Sequence, residues 1–228
     1  GSEIVIWTTT PWTIPANRAL AYNANLDYLI VEINDDGDFK NKKIIIAKDL
    51  LNSVIKDCKI KDFKELKKFT GRDFEGTVCS HPFSDLGYDY DIPMLEARFV
   101  TTEQGTGIVH CAPSHGPDDF NLCLNNGIKA IETVDADGRY TKNVALFEGS
   151  HIFKSNSVVI EKLKDQKNLL SFEFRYLGIE SSIVLPPKPI IFPMEFLIGN
   201  ISLFLKKGYI PFSFLRKLPL FNSAASLN

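Results

Sequence analysis

Apolar residues along the chain come in short runs separated by Gly, Pro and Asp/Asn clusters, and strand-like patterns outnumber helix-like ones. Residues 3–9 carry Ile4, Val5 and Ile6 into the polar cluster Thr8-Thr9-Thr10, which predicts a buried strand ended by Pro11. Residues 28–33 and 43–47 flank Asn34-Asp35-Asp36-Gly37-Asp38 and predict a hairpin. Leu50, Leu51, Val54 and Ile55 fall at helical spacing and predict a short helix over 49–56. Strands are predicted over 77–82, 97–101 and 105–112, with a loop over 113–116. Residues 117–125 predict a helix with Asp118 and Asp119 in its first turn, where acids are favoured, and Asn126-Gly127 as its stop. Asp135-Ala136-Asp137-Gly138 predicts a tight turn, and Val158, Val159 and Leu163 predict a helix over 155–167. No internal repeat is present. The expected fold is mainly β with α, a β-barrel core decorated by short helices.

The chain has 228 residues, enough for one large domain with a real core. Hydrophobic residues make up 44% and charged residues 24%, which excludes disorder over the whole chain. A net charge of −2 supplies no global field toward nucleic acid, so any such contact requires a local patch. The lysine-dense stretch 56–72 is the only candidate; it reads as a solvated helix face of mixed charge or as a surface for RNA phosphates. Cys58, Cys79, Cys111 and Cys123 form no CxxC pair, which points to reduced, metal-free thiols and a cytoplasmic setting. The start, Gly1-Ser2-Glu3, reads as a tag remnant followed at once by a strand, so no signal peptide is expected. The most apolar stretch, 190–205, holds Pro193 and Glu195 and is too short to span a bilayer; no membrane role is expected.

Two runs carry candidate chemistry. The first is Trp7-Thr8-Thr9-Thr10-Pro11-Trp12-Thr13, followed by Pro15-Ala16-Asn17. Three hydroxyls at a strand end can hold a water or a phosphate, or can simply bond the backbone. The second is Gly105-Thr106-Gly107-Ile108-Val109-His110-Cys111-Ala112-Pro113-Ser114-His115-Gly116-Pro117-Asp118-Asp119. A metal site on His110, Cys111, His115 and Asp119 has suitable ligand types but matches no zinc spacing. A hydrolase centred on Cys111 with a neighbouring histidine is a second reading, although adjacent strand residues point to opposite faces and so separate Cys111 from His110. A strand entering a loop, with an Asp at a helix start, is the third.

These runs, with Val134-Asp135-Ala136-Asp137-Gly138-Arg139-Tyr140-Thr141, resemble in order the three signatures of the editing insertion (connective polypeptide 1) of bacterial isoleucyl-tRNA synthetases. Valyl and leucyl relatives have Thr-Thr-Arg-Pro where this chain has Thr-Thr-Thr-Pro-Trp-Thr. The resemblance covers residues 3–170 and implies a class I synthetase editing-domain fold. It implies hydrolysis of mischarged Val-tRNA(Ile), and of valyl-adenylate, by a positioned water. Such a domain exists because one methylene gives only about 1–3 kcal/mol of discrimination, a figure known for this enzyme class rather than derived from this chain. By residue match, Asp119 would receive the substrate ammonium and His110 would bound the amino-acid pocket. Thr8, Thr9 and Thr10 would hold the ester and water, Trp12 would wall the pocket, and Asn17 would support it.

The resemblance also implies partners: the tRNA(Ile) acceptor end, misactivated valine and the parent enzyme's synthetic domain, in a monomer. No cofactor is expected here; ATP and Mg belong to the parent, whose two ATP-handling signatures this chain lacks. A tRNA acceptor-end binding module without activity of its own is the reading from another class. From Ser171 to Asn228 the chain departs from the family pattern: it has no Asp, only Glu173, Glu180 and Glu195 as acids, and neither helical nor strand periodicity holds. This segment is expected to be a divergent C-terminal piece of unassigned fold.

Overall fold

The computed structural model describes residues 1–172; the divergent segment, from residue 173 onward, lies outside the described residues. Eight strands form two four-stranded sheets. They are β1 (Glu3–Ile4), β2 (Ala19–Tyr22), β3 (Asp27–Ile33), β4 (Lys43–Ala47), β5 (Phe63–Thr70), β6 (Val78–Ser80), β7 (Asp91–Glu96) and β8 (Val109–Cys111). The first sheet runs β1-β4-β3-β5 and the second β6-β7-β2-β8. The α-helices are α1 (Leu51–Asp57), α2 (Pro117–Asn125) and α3 (Ile152–Asp165). The mainly-β composition with short helices agrees with the sequence pattern. In place of a closed barrel, two open sheets are present among the described residues.

The β3–β4 hairpin forms as its alternation requires, with Tyr28 opposite Ala47 and Glu32 opposite Lys43. Its inward residues Leu29, Val31, Ile33, Ile44 and Ile46 join Leu20 of β2 and Ile92 and Met94 of β7, so one apolar core is shared by both sheets. A second core gathers Trp12, Phe83, Tyr88, Tyr140 and Phe147 against Val159 and Leu163 of α3. A third is small and packs Ala19, Ala21 and Cys111 against Cys123 of α2.

Several elements differ from the sequence pattern. The expected strand 3–9 pairs only at Glu3–Ile4, because the chain then leaves the sheet toward the threonines. Residues 97–101 form no strand. The lysine-dense stretch is not a helix face: α1 stops at Asp57, and β5 forms an exposed edge strand against β3. Phe63, Leu66 and Phe69 recur at a three-residue step that imitates a helix, while a register irregularity opposite Ile30/Val31 breaks the strand alternation. β2 is rich in alanine and was invisible as a strand, but it is held on both sides, by β7 and β8. Pro93 argues against a strand, yet it pairs only with Val78 of β6, and β2 begins pairing at Met94.

Gly107 explains the glycine opening of the second motif. Its φ is +77°, and a Cβ there would lie 2.2 Å from the Ala47 Cβ. Its carbonyl accepts the buried Tyr28 hydroxyl at 2.9 Å. Gly107→Ala is expected to lower stability by at least about 2 kcal/mol, from left-handed strain plus overpacking. Urea denaturation checks this: the midpoint falls with the slope unchanged.

All four cysteines are free. No helix among the described residues is long and apolar enough to cross a membrane.

Candidate active site

After β1 the backbone enters the threonine run. The Thr10 N–H donates to Thr8 Oγ1 at 3.0 Å, which leaves the Thr8 hydroxyl proton free for another acceptor. Thr8 and Thr10 are half-buried and Thr9 is exposed. Pro11 then starts a 3-10 turn over Pro11–Ala16 that buries Trp12 and Thr13.

Three contacts bring this run to the other two signatures. Thr13 Oγ1 lies 2.9 Å from His110 Nε2, across 97 residues of sequence. The Trp12 ring meets the His115 ring edge-on, with centroids 4.7 Å apart. The Tyr140 hydroxyl donates to the Trp12 carbonyl at 2.5 Å, and the Trp12 N–H donates to Asn156 Oδ1 of α3 at 2.9 Å. The third signature and α3 together thus clamp Trp12. Its turn is closed by Asp135 Oδ1, which accepts from the N–H groups of Asp137 and Arg139. Next to it, Thr133 Oγ1 holds His115 Nε2 at 2.8 Å.

β8 sorts its side chains by the strand period. Cys111, opposite Ala19, packs into the small third core. His110, opposite Leu20, projects from the other face toward Thr13. Burial pushes the Cys111 thiol above its ordinary range, aided by Asp119 and Cys123. Nothing in this environment favours a thiolate nucleophile. Among the described residues, no group of three His, Cys, Asp or Glu side chains is placed to hold a metal ion.

Asp119 sits in the first turn of α2. Asp118 beside it is exposed, whereas Asp119 is half-buried. The Ala112 N–H donates to Asp119 Oδ2 at 2.9 Å, tying the helix start to the end of β8. The carboxylate packs so close to Gly116 that a Cβ there would meet Asp119 Cγ at 3.2 Å. No protein cation pairs with Asp119 among the described residues. Burial therefore raises its carboxyl above the ordinary value; the Ala112 N–H opposes this and Asp118 adds to it. A held, partly desolvated carboxylate without a protein cation suits a cationic ligand group.

Three histidines, His81, His110 and His115, are kept uncharged. Burial lowers His110 to about 4, with His81 and His115 adding to the effect, and lowers His115 to about 4 as well. His81, which no motif flagged, supports the 3-10 turn from beneath. Its Nε2–H donates to the Ile14 carbonyl at 3.0 Å, and its Nδ1 accepts the Phe83 N–H at 3.0 Å. Asn17 is buried; its carbonyl accepts the Tyr90 hydroxyl at 3.2 Å, and its Oδ1 has no partner. Trp12 Nε1 and His110 Nδ1 are likewise buried without a partner.

Thr8–Thr10 and Asp119 line neither of two surface clefts. One, of about 430 Å³, adjoins the second motif and is walled by Pro113, Ser114, His115, Phe120, Thr133 and Val134. The larger, of about 660 Å³, lies on the β2–β7 side near Arg72, Glu75 and Glu96. The chemistry-bearing residues, rather than cleft size, mark the candidate site. Sequence reasoning missed Thr13 as the partner of His110, His115 as the partner of Trp12, and Tyr140 and Asn156 as the Trp12 clamp. Thr13 and Tyr140 lie inside the signature runs, so only their contacts were hidden.

Comparison with known proteins gives a consistent result. Residues 23–171 match the family profile described as leucyl-tRNA synthetase, editing domain. The isoleucine–tRNA ligase of Pelagibacter ubique (strain HTCC1062) is 77% identical over 170 residues, covering 75% of this chain and 19% of that protein. The isoleucine–tRNA ligase of Gluconobacter oxydans (strain 621H) is 43% identical over 171 residues, covering 73% of this chain and 18% of that protein. The chain thus spans about one fifth of the length of these relatives. Among solved structures, the crystal structure of GlLeuRS-CP1 superposes with a TM-score of 0.57 at 15% identity, covering 72% of this chain and 81% of that one, a likeness of fold alone.

Proposed function

The chain belongs to the synthetase editing-domain family, on its isoleucine–tRNA ligase side, and from that premise we propose that its site hydrolyses Val-tRNA(Ile), with valyl-adenylate as a second substrate. The observation that carries the reading is Asp119: a half-buried carboxylate held by the Ala112 N–H, lacking a protein cation, and set on the segment that His110 and His115 bind to the threonine run. The substrate α-ammonium supplies the missing cation. Thr8, Thr9 and Thr10 hold the ester and the attacking water. Water adds to the ester carbonyl carbon, the bond to the ribose oxygen breaks, that oxygen takes a proton, and valine and a free tRNA end leave. An activated ester needs positioning and oxyanion stabilisation, not a side-chain nucleophile. Trp12, fixed at its N–H and its carbonyl, walls the pocket, and Asn17 supports the turn.

His110 bounds the side-chain pocket and excludes isoleucine. The partners in this reading are the tRNA(Ile) acceptor end, misactivated valine and the synthetic domain of a cytoplasmic, monomeric parent enzyme, which handles ATP and Mg elsewhere. The editing domain ends near residue 170.

The test is deacylation of Val-tRNA(Ile) and Ile-tRNA(Ile) by the full 228-residue chain. Cleavage of the valyl ester with sparing of the isoleucyl ester is expected. His110→Ala is expected to raise Ile-tRNA(Ile) cleavage about tenfold or more, since one methylene of exclusion is of that order. Unchanged sparing of Ile-tRNA(Ile) would remove His110 from the size filter.

A further inference from the structure

We propose that the cleft between β7 and the turn after β5 is a docking site for an extended peptide segment, whose arginine side chain inserts between Glu75 and Glu96. The inference is independent of the editing reading, because none of these residues belongs to the candidate active site.

The cleft, of about 660 Å³, is opened by the way β6 ends. β6 pairs with β7 only from Val78 opposite Pro93 to Ser80 opposite Asp91. The Met94 N–H still reaches the Thr77 carbonyl at 2.9 Å. At Gly76, with φ at +72°, the chain turns away. β7 runs on to Glu96, and there β2 is its sole strand neighbour among the described residues, with Tyr22 opposite Glu96. Along a strand, successive residues turn their N–H and C=O groups to alternate edges. The Ala97 N–H donates to the Tyr22 carbonyl at 2.7 Å, so the Glu96 N–H faces the opposite edge, into the cleft. One rung of a β-ladder is left open there.

The side chains around this rung suit a cation. Tyr22 and Glu96 are register partners and therefore share a face of the sheet. Tyr22 is only 4% exposed, its ring packed on Phe74 with centroids 5.2 Å apart, yet it lines the cleft. Its hydroxyl makes no hydrogen bond among the described residues. Burial raises its pKa, and Glu96 and then Glu75 add to the effect, so both carboxylates lie near the hydroxyl. Neither carboxylate is ion-paired among the described residues; Arg72 lines the same cleft and pairs with neither. A hydroxyl without a partner, on a buried ring and beside two unpaired carboxylates, calls for a positively charged donor. The same carboxylates repel RNA phosphates. Among the described residues, no three His, Cys, Asp or Glu side chains are placed to hold a metal ion. In a segment laid antiparallel on the open rung, the residue opposite Glu96 turns its side chain to the face of Tyr22 and Glu96. A guanidinium there offers a planar fan of donors to both carboxylates and the hydroxyl.

The probe is a capped Val-Arg-Val tripeptide, titrated into the isotope-labelled full chain and followed by NMR. The Glu96 amide and the Tyr22 ring signals are expected to shift together. Replacing the arginine by citrulline, its uncharged counterpart, is expected to weaken binding about fivefold or more. Glu75→Gln and Glu96→Gln are each expected to weaken it about fivefold, and Tyr22→Phe, which keeps the ring on Phe74, about threefold. Equal binding of the citrulline peptide would overturn the cation site. Arginine amide binding as tightly as the tripeptide, with the Glu96 amide unmoved, would overturn the strand docking. Binding unchanged in both Gln variants, or no shift of either signal at millimolar peptide, would overturn the proposal as a whole.

Discussion

Asp119→Ala is expected to remove deacylation of Val-tRNA(Ile), whereas Asp118→Ala leaves most of it. The two carboxylates are adjacent at the start of α2, so they project about 100° apart and cannot share a role. Asp118 is exposed to solvent; Asp119 is half-buried, receives the Ala112 N–H and has no protein cation. Losing an ammonium–carboxylate contact in such a site removes about 2–3 kcal/mol, tens of fold or more in rate. Asp119→Ala also strands the Ala112 N–H, so Asp119→Asn, whose amide oxygen can still accept it, separates loss of chemistry from loss of fold. The measurement is the deacylation rate of all three variants, with circular dichroism on each. Equal loss in Asp118→Ala and Asp119→Ala, or full activity in Asp119→Asn, would show that the ammonium is bound elsewhere.

Stability is expected to fall steeply as the pH drops from about 6.5 to about 4. His81, His110 and His115 are each lowered to about 4, with burial the leading cause. In this window the unfolded chain binds protons that the folded chain refuses, so stability rises with pH and is lost on acidification. For His81, 2% exposed, refusing that proton is worth about 3 kcal/mol at the bottom of the window. His110 and His115 are half-buried, less completely enclosed than His81, and contribute less each. Asp119 works against them: its raised pKa means that its protonation on acidification relieves a burial penalty. Urea midpoints between pH 7 and pH 4.5 measure the sum. His81→Gln can keep a donor for the Ile14 carbonyl and an acceptor for the Phe83 N–H without titrating, and is expected to flatten the profile. A profile equally steep in that variant would locate the acid lability elsewhere.

Local chemistry was legible in the sequence and long-range pairing was not. The bounds of α2 could be read because Pro117 at its first position, the two acids after it and Asn126-Gly127 at its end are all local signals. The β3–β4 hairpin was equally plain. β2 and β7 were missed because one is alanine-rich and the other contains Pro93, and neighbouring strands override both preferences. β5 was misread because its aromatic and leucine spacing has a helical step. For the site, the signature runs named Thr8, Thr9, Thr10, His110 and Asp119 as chemistry. That Thr13 meets His110, and that Tyr140 reaches Trp12 across 128 residues, are consequences of topology that no spacing rule carries.

The most direct test of the site is a structure of the full chain with the amide-linked valyl-aminoadenosine. The expected result places the ammonium on the Asp119 carboxylate, the valyl side chain against His110 and the carbonyl among Thr8, Thr9 and Thr10. The analogue bound instead in the cleft of Ser114, Phe120 and Val134, with Asp119 still bound only to the Ala112 N–H, would contradict it.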